Sequence, residues 1–585
     1  METTPLMQKH FTLTLGFSLL LLLFSTLFCA ILAEWMHISI GVWTLPIGYL
    51  VAMFIVSVLH IQRNILNIRF LGKLFASVLL IVALSLLLGG YAYDYAYDGM
   101  SYHQPIIRSL MLGWNPIYES NSPFTTGWEC SSYVDHYPKA IETLCASFAA
   151  FVGNIEYGKA VNLLLITSSF CFVKSFIEAY FSQRYSKFSK TLLTFLLTLS
   201  PVSLSQVFTF YVDFALYAYL LIGFSALYLH GSHASYASTF VSPILSSRNL
   251  FLIITMLVSL AIGTKVIAAF WVIVFFLEAL LVSWFKRDKR ERNSIMQGLL
   301  CGGLLGLFVF CYHPYITHLQ EGHHMLHPFM GNEAVNVENL QTETLPGCNR
   351  AQAVVKSVFS RPDKGYTNDS KSLLPHFQNI IASGKADVRV GGGGILFIEM
   401  LIMMPILLVL SWRISPTSTL RCIGIIAGLI AALFVLPNGW WIRFTPFTYL
   451  IPLCAFLHYL KLSAPHQGRT IKWCVSAVMA INISIVALVS LSLMQMHRSK
   501  MHYFADVLKQ SPSVRIQSNN HTFIHQIKEL GFECNRVLDA PLQLIFPGPP
   551  IYSYREDWNT YGLDITNYPL LRWSNIRQDI FYPCN

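Results

Sequence analysis

The segment from 94 to 105 holds the densest group of reactive side chains in the sequence. Asp94, Asp98 and His103 lie within ten residues, among three tyrosines, directly after an uncharged apolar run from 77 to 93. A helix that leaves a bilayer normally ends in Lys, Arg, Trp or Tyr anchors, so carboxylates at this position suggest chemistry at the membrane surface. A polar helix end with tyrosine anchors is the alternative interpretation.

The two aspartates have a spacing that suits proton transfer. Asp94 and Asp98 are four residues apart and share one face if the preceding helix continues that far. A carboxylate at a low-dielectric edge has its pKa raised unless a cation is near, which suits a general base for a sugar hydroxyl. We expect no cofactor; a divalent metal bound by the pair is the alternative, although the spacing is not a specific metal signature.

Four more ionisable residues lie beside or inside apolar runs. Asp135 and His136 precede a run with helical spacing, and a helix N-terminus beside a histidine favours an anion. Asp213 joins two apolar runs with almost no loop, and Lys265 lies within about 35 nearly uncharged residues, where charge is costly and usually functional. We expect all four to contact substrate. The alternatives are a helix-start role for Asp135, a snorkelling Lys265, and a simple ion pair between Asp213 and Lys265.

Two arginines complete the candidate binding residues. Arg443 follows Trp440 and Trp441, and an arginine fork binds phosphate with two donors while an indole suits a stacked sugar ring. Arg389 lies just before a run of four glycines. We expect Trp441, Arg443 and Arg389 to bind substrate. An interface belt with a snorkelling arginine is the alternative for the Trp–Arg segment.

A histidine-rich stretch follows residue 312. No standard zinc spacing fits it, Glu321 is not in an HExxH arrangement, and no cysteine pair completes a site. We therefore interpret these histidines as polar loop residues and expect no metal ligand among them. They are His313, His318, His323, His324 and His327.

The composition indicates a polytopic membrane protein. Hydrophobic residues make up 54% of the 585 residues and charged residues only 12%, whereas soluble domains carry about 25% charged residues. The net charge of +10 is explained by basic cytoplasmic loops, so we expect no nucleic-acid partner. The twelve cysteines form no CxxC pair and no Cys/His metal spacing.

Thirteen apolar runs predict an all-α membrane domain, since a span needs about 20 apolar residues and at least about 17. The first run is too long for a signal-peptide core and lacks a clean cleavage site, so it predicts a retained span. The runs between 250 and 285 also suit one long tilted helix. The predicted spans are 11–33, 43–60, 74–93, 160–180, 191–210, 212–230, 250–267, 269–285, 296–312, 394–411, 420–437, 444–460 and 471–493.

Lys and Arg are concentrated in alternate short loops, which predicts a cytoplasmic N-terminus. An odd number of spans then places the C-terminus outside. This topology puts nearly every unusual polar residue on the outer face, which favours an extracytoplasmic active site. These residues are Asp98, His103, Asp135, His136, Asp213, Lys265, His313, Asp387, Arg389 and Arg443.

The predicted spans divide the chain into six parts. The first outer loop carries an amphipathic helix with Pro138 in its first turn and Gly153 as its C-cap, either flat on the membrane or packed on the bundle. The polar end of the chain predicts a small outer α/β domain with a helix near 521–530, in which Cys534 and Cys584 can pair. The parts are N-terminal spans 1–93, outer loop 94–159, transmembrane core 160–312, outer loop 313–393, C-terminal spans 394–493 and outer domain 494–585.

Several segments between about 90 and 455, taken in order, resemble those of the bacterial multi-span GT-C glycosyltransferases, the group related to the protein O-mannosyltransferases. The departures are about three spans before the acid, where better-known members have one, and His313 where an asparagine is expected before Pro-Tyr. The matching segments are Asp98-Gly-Met-Ser-Tyr102-His103, Gly113-Trp-Asn-Pro116, His136-Tyr-Pro-Lys139, Gly153-Asn-Ile-Glu156-Tyr-Gly-Lys159, Tyr211-Val-Asp213, Thr264-Lys265, Pro314-Tyr-Ile-Thr317 and Trp440-Trp-Ile-Arg443.

This resemblance implies a GT-C-like fold in the bacterial inner membrane and transfer of a sugar from polyprenyl phosphate with inversion. The acceptor would be a lipid, a glycan or a protein. Asp98 would be the base, with Asp94 as the reserve, and Tyr102 and His103 would shape the site. Lys265, Arg389 and Arg443 would hold the phosphate. The alternatives are a polymerase or ligase acting on lipid-linked glycans, and a flippase, which should place its polar groups near the midplane of two related halves.

Overall fold

The computed structural model describes residues 5–61, 68–123, 131–181, 184–235, 246–331, 338–372, 374–435 and 438–509, together with five short strands between 515 and 583. Helices dominate the long described ranges. The physical reason is that an apolar segment in a bilayer must satisfy its backbone hydrogen bonds internally.

Nine helices within these ranges are long and apolar enough to cross a membrane, which confirms the class of polytopic membrane protein. Three shorter apolar helices, Thr44–His60, Ala140–Val152 and Pro416–Ala432, accompany them. The count of thirteen spans stays a prediction. The nine are Phe11–Trp35, Ile68–Gly89, Ile155–Phe181, Asp213–Gly231, Ser247–Thr264, Val266–Phe285, Lys289–Phe310, Phe397–Ile414 and Arg469–Ser499.

Twenty-one α-helices follow one another along the described chain. They are α1 Pro5–Trp35, α2 Thr44–Ile61, α3 Ile68–Gly89, α4 Gln104–Met111, α5 Ser131–His136, α6 Ala140–Val152, α7 Ala160–Phe181, α8 Lys187–Thr198, α9 Pro201–Gln206, α10 Asp213–Ser235, α11 Ser247–Thr264, α12 Val266–Phe285, α13 Lys289–Leu305, α14 Thr317–Gln320, α15 Glu338–Thr344, α16 Arg350–Val358, α17 Phe377–Ser383, α18 Phe397–Ile414, α19 Pro416–Ala432, α20 Leu450–Leu462 and α21 Arg469–Lys509. Short π-helical turns cover Gly99–His103, Gly306–Phe310 and Tyr312–Ile316, and 3₁₀ turns cover Ile155–Lys159 and Pro446–Tyr449.

A glycine stripe lets α11 and α13 approach closely. A Cβ on Gly298, Gly302 or Gly306 would lie 2.7 to 2.8 Å from an atom of Ile254, Val258 or Ile262. Small residues at this four-residue spacing let backbones meet, and van der Waals packing then stabilises the helix pair in a membrane. Lys265 directly follows the last residue of α11.

Two predicted spans differ from the observed helices. The run 191–210 is divided into α8 and α9, because Pro201 cannot continue a helix and the Ser200 side chain caps the new one by accepting from the Ser203 N–H. The run 444–460 yields only the thirteen residues of α20 after a 3₁₀ turn. The ambiguous run from 250 to 285 forms two helices, separated by Lys265 with φ −170°.

Helix α6 confirms the predicted helix of the first outer loop. It ends at Gly153, which adopts the left-handed conformation with φ 87°, but it begins two residues after Pro138. All ten residues from 140 to 149 are buried. The helix therefore packs inside the bundle over these ten residues, while Phe151 and Val152 at its end are exposed.

Five strands near the C-terminus form one sheet of order β2-β1-β3-β4-β5, in which β1 pairs parallel to β2 and the other pairs are antiparallel. The predicted helix 521–530 and both cysteines, Cys534 and Cys584, lie outside the described residues, so the α/β domain stays a prediction. The strands are β1 Arg515–Gln517, β2 Asn535–Val537, β3 Gln543–Ile545, β4 Tyr552–Ser553 and β5 Tyr582–Pro583.

Arg361 fastens the second outer loop to α18. Its Nη2 donates to Glu399 Oε1 at 2.6 Å, and its Nη1 donates to Glu399 Oε2 at 2.8 Å and to the Ile395 carbonyl at 2.5 Å. The guanidinium is buried while Glu399 is partly exposed. This forked pair fixes the loop that carries Asp387 and Arg389.

We expect Arg361→Met to lower the free energy of unfolding by about 2 kcal/mol, since charge-assisted hydrogen bonds at a buried site are lost. Thermal unfolding in detergent measures it. Lys174→Met is the control, because its pair with Glu178 is 3.3 Å long and half-exposed, and such pairs contribute about 0–1 kcal/mol. Equal effects of the two substitutions would contradict the anchoring role of Arg361.

Candidate active site

A buried guanidinium lies at the centre of the candidate site. Arg443 Nη1 lies 3.0 Å from Asp98 Oδ2 and 3.0 Å from Asp387 Oδ1, and its Nε lies 3.5 Å from Asp213 Oδ2. Only 5% of Arg443 is exposed. Three carboxylates from distant parts of the sequence therefore surround one cation.

Two further cations extend this ion cluster. Lys265 Nζ donates to Asp213 Oδ1 at 2.6 Å, and Arg389 Nε donates to Asp387 Oδ2 at 3.2 Å. With all six groups ionised, the three positive and three negative charges cancel. We call these six residues the ion cluster: Asp98, Asp213, Lys265, Asp387, Arg389 and Arg443.

The contacts of Arg443 are ion pairs without hydrogen-bond alignment. Within the described ranges, its Nε and Nη1 and the Oδ1 atom of Asp387 have no hydrogen-bond partner, although all are buried. A buried N–H without an aligned acceptor is costly. Arg443 is therefore held by charge while two of its donors still lack an acceptor.

Aromatic rings line the cations of the cluster. The Arg443 guanidinium carbon lies 4.0 Å from the Trp441 ring centre and 5.0 Å from that of Tyr211. The Arg389 guanidinium carbon lies 4.8 Å from the ring of Trp441, and Lys265 Nζ lies 4.4 Å from the ring of Phe444. Such faces attract cations and exclude water, which strengthens electrostatic interactions inside the cluster. Trp441 is itself held by donating from Nε1 to the Val388 carbonyl at 2.8 Å.

Helix ends and breaks position the charged side chains. Asp98 immediately precedes the π-helical turn Gly99–His103, Asp213 begins α10, and Lys265 occupies the break between α11 and α12. At such points the chain turns, and side chains from neighbouring helices converge. Gly99 is required at its position, since a Cβ there would lie 1.9 Å from Asp94 Oδ2.

Asp98 is held in its ionised form. Burial raises the pKa of a carboxyl group, but Arg443, Lys265, His103 and a hydrogen bond from Tyr102 outweigh burial and lower the pKa of Asp98. The pKa of Asp387 is raised instead, because burial outweighs Arg443 and Arg389 there. Asp98 is thus an anionic acceptor at neutral pH.

Asp94 occupies a different environment. Its Oδ1 accepts from the Ala96 N–H at 2.9 Å and its Oδ2 accepts from the Phe210 N–H at 3.0 Å. Burial raises the pKa of Asp94 to about 6, although Lys159 lowers it. The carboxylate joins two backbone turns, and it makes no ion pair with Arg443 among the described contacts.

Tyr102 and His103 lie beside Asp98. The Tyr102 ring centre lies 5.6 Å from that of Tyr137, and His103 Nδ1 lies 2.6 Å from Glu142 Oε1, with both partners buried. The carboxylate of Glu142 therefore orients the imidazole. Both predicted residues shape the surroundings of the acid.

Asp135 and His136 make their described contacts with another group of side chains. Asp135 Oδ1 accepts from the Ser122 N–H at 2.9 Å, and the Asp135 carbonyl oxygen lies 2.6 Å from His313 Nε2. His136 Nδ1 lies 3.0 Å from His318 Nε2. No ion pair joins these two residues to the ion cluster in the described ranges.

The candidate site residues predicted from the sequence do not include Asp387, Tyr211 or Glu142, although Asp387 is among the polar residues predicted on the outer face. Asp387 carried a signal, since it lies two residues before Arg389 ahead of the glycine run. Tyr211 lies two residues before Asp213 and has no sequence pattern that marks it as a site residue. Its hydroxyl accepts a hydrogen bond from the Asp98 N–H at 3.3 Å. Glu142 lies within α6 and carries no distinguishing pattern.

Comparison with known proteins adds no family. No protein-family model, curated protein or solved structure matches this chain. In the portion of the chain that the structure covers, no group of three or more His, Cys, Asp or Glu side chains is arranged so that it could hold a metal ion. The function must therefore be argued from the ion cluster itself.

We expect Asp94→Asn to remove a pH dependence from stability. Because the pKa of Asp94 is about 6 in the fold and ordinarily 3.8, the native state alone holds its proton between these values, and its stability rises as pH falls. Unfolding of wild type relative to the variant should cost about 1 kcal/mol more at pH 5 than at pH 7. Thermal melts across this range measure it, with the exposed Glu119→Gln as control. A gap that is constant with pH would refute the assignment.

Proposed function

We propose that the protein is an integral-membrane glycosyltransferase that transfers a sugar from polyprenyl phosphate to an acceptor at the extracytoplasmic face. The observation that carries the proposal is the buried Arg443, which contacts three carboxylates while its Nε and Nη1 have no aligned acceptor in the described ranges. A planar fork of donors in a water-poor site suits a phosphate group.

The donor phosphate would bind Arg443, with Lys265 and Arg389 on either side. An incoming phosphate oxygen supplies the aligned acceptor that Arg443 lacks and competes with the carboxylates for it. Arg443 is the first of the charges that lower the pKa of Asp98, so loosening of this contact raises that pKa and makes the carboxylate a stronger base. Phosphate binding would in this way prepare the base.

The chemical step follows from these positions. Asp98 accepts the proton of an acceptor hydroxyl, and the oxygen attacks the anomeric carbon of the sugar. The bond between that carbon and the phosphate oxygen breaks with inversion, and polyprenyl phosphate leaves with one more negative charge. Arg443, Lys265 and Arg389 stabilise that charge, and each such donor contributes about 10²- to 10³-fold in rate at comparable sites.

The site favours an enzyme over a flippase. A transporter places its polar groups near the bilayer midplane on broken helices of two related halves. In contrast, Asp98, Asp387, Arg389 and Arg443 belong to segments between the candidate spans. A polymerase or ligase with a diphosphate-linked donor needs the same cations, and the choice of donor in the assay distinguishes it.

The proposed function requires a particular membrane topology. Thirteen spans, a cytoplasmic N-terminus and an extracytoplasmic C-terminal α/β domain would place the ion cluster on the outer side of a bacterial inner membrane. The lipid, glycan or protein acceptor would approach from that side. Membership in the GT-C group belongs to the same proposal, with the segments named in the sequence as its support.

We expect Asp98→Asn to lower kcat for sugar transfer, measured per folded protein, by at least about 10²-fold, since an amide cannot accept the proton. Transfer from polyprenyl-phosphate sugars in detergent measures it, with sugars on polyprenyl diphosphate as the second donor class. Glu119→Gln, an exposed acid of the same outer loop, is the matched control and should keep full activity. Undiminished transfer by Asp98→Asn would refute the base.

The pH profile separates the two aspartates. With Asp98 as base, we expect kcat/KM to stay within about twofold from pH 7.5 to pH 5, because the lowered pKa of Asp98 keeps it ionised. With Asp94 as base, the pKa of about 6 would make the rate fall as pH drops below 6. A loss of about tenfold between pH 7.5 and pH 5 would therefore assign the proton transfer to Asp94.

A further inference from the structure

Four imidazoles from two outer loops gather at one place outside the ion cluster. His136 ends α5, and His318, His323 and His327 follow Pro314 in the second loop. The ring centre of His136 lies 5.0 Å from that of His318, 4.5 Å from that of His327 and 6.1 Å from that of His323. We call these four residues the histidine cluster.

The other three histidines are also close to one another. The ring centres of His318 and His327 are 5.4 Å apart, those of His318 and His323 are 6.3 Å apart, and those of His323 and His327 are 4.7 Å apart. Four imidazoles bound tetrahedrally through bonds of about 2.1 Å have ring centres roughly 5 Å apart. The six ring-centre separations in the histidine cluster range from 4.5 to 6.3 Å, a range that includes this value.

One ring nitrogen of the cluster already has a ligand-like environment. His318 directs Nε2 at His136 Nδ1, 3.0 Å away, and its Nδ1 lies 3.4 Å from the Met325 carbonyl oxygen. Metal-binding histidines almost always donate their other ring N–H to a carbonyl or carboxylate, which fixes the tautomer. Met325 can fill that role for His318.

The imidazoles supply the nitrogen lone pairs that a cation needs, since metal ions bind histidine in its neutral form. Lys139 lies nearby, with its Nζ 3.1 Å from the Nε2 of His313, which is outside the histidine cluster.

The imidazole rings pack against one another, and their nitrogen lone pairs do not yet converge on one metal position. His323 and His327 are stacked with 17° between their planes, so one of them must turn before both lone pairs converge. This arrangement explains why no three donors in the described ranges form a finished coordination sphere. Because the ring-centre separations are near those of a tetrahedral site, rotation of these side chains is the change that a bound ion would require.

We propose that His136, His318, His323 and His327 bind one divalent transition-metal ion, with Zn²⁺ as the ion that four imidazoles suit best. Imidazole nitrogen is a preferred ligand of zinc, and four protein ligands without an open position form a structural site. The ion joins the first outer loop to the second. The sequence pattern concealed the site because His136 is 182 residues from His318.

The consequence of the metal lies at the active-site wall. Tyr137, the neighbour of His136, has its ring centre 5.5 Å from that of Phe329 and 5.6 Å from that of Tyr102. Lys265 Nζ lies 6.0 Å from the Tyr137 ring. A metal that joins the loops fixes this aromatic wall beside the ion cluster, but binding itself does not depend on the proposed reaction.

Zinc stoichiometry tests the proposal. The full chain is purified in detergent with a tag that contains no histidine, incubated with Zn²⁺, desalted and measured by plasma mass spectrometry. We expect about one zinc per chain in wild type and less than about one fifth of that in His136→Gln and His323→Gln, one variant from each loop. His466→Gln, an exposed histidine elsewhere, should retain wild-type zinc.

A second readout keeps the test decisive if the variants fail to accumulate. Wild-type protein loaded with Zn²⁺ is titrated with a chromophoric chelator, and we expect a dissociation constant below about 1 µM. Zinc that is lost on desalting, or that the two loop variants retain at the wild-type level, would overturn the site. A loss of zinc in His466→Gln equal to that in His136→Gln would overturn it too, because it would show surface binding only.

Discussion

The burial of the Arg443 guanidinium is the constraint on which the rest of the structure depends. An isolated charge in a low-dielectric environment is strongly unfavourable, so Arg443 is stable only while opposite charges surround it. Asp98, Asp213 and Asp387 supply them from three separate segments. Those segments must converge, and Arg361 holds the last of them by its fork on Glu399. The same ion pairs therefore stabilise the fold and form the candidate site.

Convergence is achieved by interrupting helices. A continuous membrane helix satisfies its own backbone and offers few points where charged side chains can meet. The break at Lys265, the start of α10 at Asp213 and the π-helical turn after Asp98 all lie at one end of the bundle. The glycines of α13 let it pack closely against α11, the helix that ends just before the break at Lys265.

The sequence predicts the positions of the helices far better than it predicts which side chains contact one another. Apolar runs locate most spans, since length and hydropathy decide them, whereas the break at Ser200 and Pro201 is marked by a capping serine and a proline that hydropathy alone does not register. Asp94 and Asp98 look equivalent by spacing, and their roles diverge because Phe210 and Arg443, both distant in sequence, face different acids. His136 and His318 are likewise brought together only by the fold. Contacts between single residues that are far apart in the chain produce no periodic sequence pattern, so they cannot be predicted from one sequence.

The neutrality of the ion cluster bears on how the proposed reaction would proceed. A polyprenyl-phosphate sugar carries one negative charge, so its complex with the cluster carries one as well. During transfer the phosphate gains a charge while Asp98 gains a proton, and the total is unchanged. Protonated Asp98 no longer competes for Arg443, so the guanidinium becomes available as the phosphate needs it most. A neutral cluster of paired charges thus stabilises the leaving group without holding excess charge in the resting site, which a low-dielectric environment would penalise.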